Sequence, residues 1–108
     1  SNNLQIKDQF ILAASGSNNH DGGIIVNTAA AGSGSAFAWD NSAVRWGLSG
    51  ADETAKNATT YTPRQYVVSV SGSAASPSGN PSDFGASTAT RAGMMHVNTS
   101  NGEIWIYS

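Results

Sequence analysis

Two alternating apolar stretches joined by a polar turn dominate the hydrophobic pattern of this chain. Ala36-Phe37-Ala38-Trp39 and Val44-Arg45-Trp46-Gly47-Leu48 place large side chains at every second position, with Asp40-Asn41-Ser42-Ala43 between them. Successive residues of a strand point to opposite faces, so the pattern predicts a β-hairpin. Phe37 and Trp39 share one face of its first strand, and Val44, Trp46 and Leu48 share one face of its second. Phe37, Trp39, Val44 and Trp46 are therefore the expected hairpin core.

The same logic locates a second hairpin near the end of the sequence. Residues 93–99 and 103–107 alternate around Ser100-Asn101-Gly102, where Asn-Gly supplies the positive φ that a tight turn needs. In its last strand Ile104 and Ile106 face one way and Trp105 and Tyr107 the other, so both faces are apolar. Such a strand is either central in its sheet or covered by another subunit, which makes Ile104, Ile106, Trp105 and Tyr107 the candidate partner-contact residues.

The remaining segments complete an all-β reading. Residues 4–14 carry a strand-like entry through Leu4 and Ile6 and an apolar run through Phe10, Ile11, Leu12 and Ala13, ended by the turn residues that follow Ser15. Gly22-Gly23-Ile24-Ile25-Val26-Asn27 predicts a β-branched strand with close backbone approach at its start. A loop is expected over 29–35. Residues 49–62 are polar and weakly periodic, with one helical turn expected over 51–56. Gln65-Tyr66-Val67-Val68-Ser69-Val70-Ser71 predicts one strand between Pro63 and Gly72. Residues 72–91 hold Pro77, Pro81 and a Ser/Gly/Ala tract, the expected long surface loop, with Phe84 expected to pin it down. Seven short strands and no amphipathic helix predict a small antiparallel β-sandwich or barrel built from hairpins, as a single domain over 1–108.

Composition narrows the function classes. A chain of 108 residues has a thin core that contacts with copies or partners readily supplement. Only 11% of residues are charged, and the net charge of -2 gives no broad positive field, so no nucleic-acid partner is expected. Arg45, Arg64 and Arg91 are scattered. Cysteine is absent, which removes disulfides and thiolate metal sites. No apolar run approaches the roughly 20 residues that cross a bilayer, and the first residues lack signal-peptide character, so a soluble chain without membrane insertion is expected. The start at Ser1 suggests a processed product or an excised fragment.

Reactive side chains form no recognisable constellation. His20 and His96 are the only histidines and lack metal-ligand spacing, so no metal or cofactor is expected. Serine, histidine and aspartate occur without a Gly-x-Ser-x-Gly elbow. Asp40, Asp52, Glu53, Asp83 and Glu103 offer carboxylates for glycoside hydrolysis, but turn positions explain Asp40 and Asp83 more simply. Gly32-Ser33-Gly34-Ser35 lacks the Lys-Ser/Thr of a phosphate loop, and the acceptor patterns at Asn57 and Asn98 are expected by chance in so Asn/Ser/Thr-rich a chain. No catalytic residue is expected. Trp39, Trp46, Trp105, Tyr61, Tyr66 and Tyr107 offer flat faces on which a sugar stacks, which keeps a carbohydrate-binding module open as an alternative.

Taken in order, residues 4–12, Asp21-Gly22-Gly23-Ile24-Ile25-Val26, Phe37-Ala38-Trp39-Asp40 with Arg45-Trp46, and the closing residues 93–107 resemble a structural module of tailed-bacteriophage virions. The resemblance covers the first half and the last sixth of the chain and leaves 72–91 without a counterpart. It implies a non-enzymatic component of tail fibre, neck appendage or baseplate, located in the virion, assembled as a homo-oligomer, a trimer first, beside other virion proteins. Host attachment through a surface glycan is a further expectation, and the resemblance implies no active site.

Overall fold

The computed structural model describes residues 2–16, 18–77 and 92–108. Within them the chain is all-β with no helix: β1 Gly22–Asn27, β2 Ser33–Asp40, β3 Arg45–Leu48, β4 Thr54–Ala55, β5 Gln65–Tyr66, β6 Val70–Ser73, β7 Met95–Asn98 and β8 Ile104–Ile106. They form two sheets and no closed barrel. The larger has the order β1-β2-β3-β5, with β4 also paired to β2, and every pair in it is antiparallel. The smaller has the order β6-β7-β8, where β6 and β7 run parallel and β7 and β8 antiparallel. The parallel pair departs from the purely antiparallel expectation.

The tryptophan hairpin forms in the expected register, with Phe37 opposite Leu48 and Trp39 opposite Trp46. Val44 does not join its strand. It sits in the turn with φ 55, so its side chain has left the alternation that Trp46 and Leu48 follow. The helical turn expected over 51–56 is also replaced: Thr54–Ala55 pair with Gly34 and Ser33 as β4. The second hairpin closes through Gly102, at φ +78, whose N–H donates to Asn98 O at 2.8 Å.

The run expected as one strand over 65–71 is divided between the sheets. Val67 N–H still donates to Trp46 O at 2.9 Å, but Ser69 O accepts from Met95 N–H at 3.2 Å, so the chain changes sheets between these two residues. β-branched composition makes a segment extended; it does not dictate that one partner serves its whole length. Residues 78–91, and with them Asp83, Phe84 and Arg91, lie outside the described residues.

Few large side chains are inside. The buried apolar residues are Ala36, Ala38, Ala43 and Met94. Ala36 and Ala38 occupy the face of β2 opposite Phe37 and Trp39, and it is this small-residue face that residues 54–63 cover. Tyr61 Oη donates to Ala38 O at 2.5 Å, and a Cβ on Gly47 would come within 2.8 Å of Pro63 Cβ and 3.1 Å of Tyr61 Oη. Absence of side-chain bulk is thus what lets the covering segment approach. The expected hairpin core is therefore corrected. Phe37 and Trp46 are each 45% exposed and Trp39 is half-buried, because the sheet turns its aromatic face outward. The radius of gyration, 17.0 Å, exceeds the roughly 13 Å of a compact chain of this length, consistent with sheets that share little core.

Candidate functional site

The larger sheet carries polar chemistry on its inner side. Asp40, at the end of β2, is buried and accepts from Tyr66 Oη at 2.7 Å through Oδ2, and from Ser42 Oγ at 2.8 Å and Ser42 N–H at 3.2 Å through Oδ1. The last two bonds are the turn role expected of it. Burial pushes its carboxyl up, but the hydrogen bonds from Tyr66, Ser42 and the Ala43 and Ser42 backbone outweigh that and hold it below its ordinary value. The hydrogen bond to Asp40, then burial, pushes the Tyr66 phenol up. Burial, with the charges of Asp40 and Asp21, pushes Tyr61 up to about 12.

Arg45 faces the same cluster from β3. Its guanidinium lies 4.7 Å from the Tyr66 ring centre and its Nη1 donates to Ala92 O at 3.1 Å, while Nε is buried with no acceptor among the described residues. Beside this cluster a cleft of about 470 Å³ is lined by His20, Asp21, Asp40, Tyr61 and Tyr66, among others. Asp21 is occupied in structure, accepting from Asn41 N–H at 2.8 Å and Tyr61 N–H at 3.2 Å. No three metal-ligating side chains converge among the described residues.

The second histidine serves packing. His96 is buried on β7, its Nδ1 3.1 Å from Ser71 Oγ and its Nε2 3.2 Å from Ser73 Oγ and 3.1 Å from Ala75 O. Two residues on, buried Asn98 donates to Ser76 Oγ at 3.1 Å and accepts from Ser100 N–H at 3.0 Å. Buried polar groups need such partners, and the Ser-rich 69–76 segment supplies them.

The outward faces are the reverse. On the larger sheet Ile24, Phe37 and Leu48 form one cross-strand row, with Trp39 and Trp46 in the next. Phe37 and Trp46 stack with ring centres 5.5 Å apart and planes 12° apart; Trp39 meets Trp46 edge-on at 5.7 Å. On the smaller sheet Val70, Met95 and Ile106 form one row, and Val97 and Ile104 share the next. Ile104 is 63% and Ile106 64% exposed, and Trp105, on the opposite side of the same strand, 41%. Tyr107 is half-buried and its N–H donates to Met94 O at 2.9 Å. β8 is an edge strand of the smaller sheet, paired with β7 among the described residues.

Sequence reasoning singled out β8 but missed the outer face of β1 to β3, where Ile24 and Val26 stand beside the aromatics. The signal was present in the row Ala36, Ala38, Gly47: residues this small leave their face thin and easily closed by one short segment. No family model, curated protein or solved structure matches the chain.

Proposed function

We propose that this chain is a non-enzymatic structural subunit whose work is self-assembly, and, following the resemblance carried by residues 4–12, 21–26, 37–46 and 93–107, that it serves in the virion of a tailed phage, in tail, fibre or neck appendage. One observation carries the assembly reading: each sheet has a face of exposed large apolar side chains, Ile24, Phe37, Trp46 and Leu48 on the larger and Val70, Ile104 and Ile106 on the smaller, while the buried positions are mostly small or polar. A contiguous apolar face of this kind is costly in water and marks an interaction surface. The sandwich expected within one chain is then completed between chains, with the Phe37/Trp46 face of one copy packed about 10 Å from a sheet of the next. A trimer satisfies this arrangement around a threefold axis.

Sedimentation equilibrium of the full chain across a concentration series tests it. A closed homo-oligomer supports the reading; a monodisperse monomer throughout the series removes it.

The coplanar Phe37–Trp46 pair favours a second reading, a platform for the apolar face of a sugar, as in a carbohydrate-binding module. Fluorescence titration with host-surface polysaccharide separates the two. Saturable quenching that is lost in Trp46→Ala, with the sedimenting mass unchanged, favours the sugar; no response favours assembly alone.

A further inference from the structure

Residues 4–12 form an arm with strand patterning and no strand partner among the described residues. Leu4, Ile6, Phe10 and Leu12 share one parity with Asp8 among them, and Gln5, Lys7, Gln9 and Ile11 share the other, the pattern of a strand with one mainly apolar face. In the chain by itself this segment is irregular, and Leu4, Phe10 and Leu12 are 87%, 90% and 82% exposed. No hydrogen bond ties its backbone to the described residues. A segment of this composition that is stable only when paired lacks its pair.

The pair is available at β1, the end strand of the larger sheet, which hydrogen-bonds to β2 along one side only. Its Ile24 and Val26 lie on the outer apolar face. An arm added there would continue that face with Leu4, Ile6, Phe10 and Leu12 and satisfy its own backbone in the ladder.

In the chain by itself the arm is not paired with β1. Ala13 and Ala14, which follow it, line a cavity of about 250 Å³ beneath the inner face with Gly22, Gly23, Ala36 and Ala38. Ala14 and Asn19 both take positive φ, 57 and 59, so the link between the arm and β1 is bent rather than extended.

We infer that the 4–12 arm of one copy adds as a strand to the free β1 edge of a second copy, in reciprocal exchange. This rests on the assembly reading and names the element that fastens it. Reciprocal exchange makes two such ladders per pair of copies, and each arm extends the outer apolar face that the assembly reading covers.

Two measurements test it together: sedimentation of the full chain beside a chain lacking residues 2–12 and the point variant Phe10→Asp/Leu12→Asp, and hydrogen exchange of the full chain across the same concentrations. The expected result is an assembly midpoint raised roughly tenfold or more in both variants, with the amides of 4–12 and of β1 slowing together as the full chain assembles. Near-ultraviolet tryptophan dichroism checks that the variants keep the hairpin. A full chain that assembles while both variants assemble at the same midpoint overturns the exchange and leaves the assembly reading standing. Arm amides equally protected at dilutions where the chain is monomeric overturn it in favour of pairing within one chain. A full chain monomeric at every concentration overturns both.

Discussion

The two faces of β2 come from the same eight residues and meet opposite fates. Ala36, Ala38 and Asp40 lie under a short covering segment and are buried; Phe37, one position away, is 45% exposed and stacked on an equally exposed Trp46. Side-chain hydrophobicity did not decide which face went inside. Coverage did: one segment carrying Tyr61 and Pro63 closes a face of alanine and glycine, and none of the described residues closes the face of phenylalanine, tryptophan, isoleucine and leucine. The smaller sheet repeats the contrast, with His96 and Asn98 satisfied inside and Ile104 and Ile106 outside.

Substitutions on opposite faces should therefore fail in different assays. The largest effect is expected from the double change Phe37→Asp/Trp46→Asp, which places charge on the outer face. Assembly weakens by about 100-fold or more, roughly 2.7 kcal/mol, while thermal unfolding of the dilute chain changes little. Equal losses in both assays would erase the distinction between the faces. On the inner face, Asp40→Ala strands the Tyr66 hydroxyl and removes the turn bonds from Ser42, so urea unfolding should show a loss of about 1–3 kcal/mol with assembly impaired only through folding. Gly47→Val drives a side chain into Pro63 and Tyr61 and is expected to cost about 1–3 kcal/mol in the same measurement. Tyr61→Phe removes only the bond to Ala38 O, worth about 1 kcal/mol.

The inner cluster also sets the pH response. Asp40 is held below its ordinary value of 3.8 in the fold, so the unfolded chain takes up the proton first. Its contribution is present above that value and lost as pH falls through the folded one. Tyr61 is shifted the other way, from 10.0 to about 12, so its contribution is complete below pH 10 and lost as pH rises toward 12. Tyrosinate absorbance should show a tyrosine titrating near pH 12 that Tyr61→Phe removes, with the raised Tyr66 remaining.

Alternation in the sequence located both hairpins and their turns, because period two and Asn-Gly are local signals. It could not say which face of an alternating strand would be inside, since that depends on what lies above it, and so the expected core of Phe37, Trp39 and Trp46 turned outward. Val44 shows a second limit: it continues the apolar parity of Trp46, but the turn consumes it at positive φ. The division of 65–71 between sheets depends on partners far away in sequence, Trp46 for Val67 and Met95 for Ser69. Ser49 and Thr54 read as loop polarity, yet their hydroxyls meet at 2.7 Å in a buried bridge that also receives Ala36 N–H at 2.8 Å. The exposure of Ile104, Trp105 and Ile106 on β8 fits a strand whose sequence is apolar on both sides.

Carbene footprinting of the full chain over a concentration series reads the fate of the outer faces directly. Labelling of Phe37, Trp46, Ile104 and Ile106 should fall together as concentration rises, while Thr62 and Arg64, exposed and away from those faces, label constantly. Labelling of the four residues that stays high and unchanged from dilute to concentrated solution would contradict an outer face made to be covered by another chain.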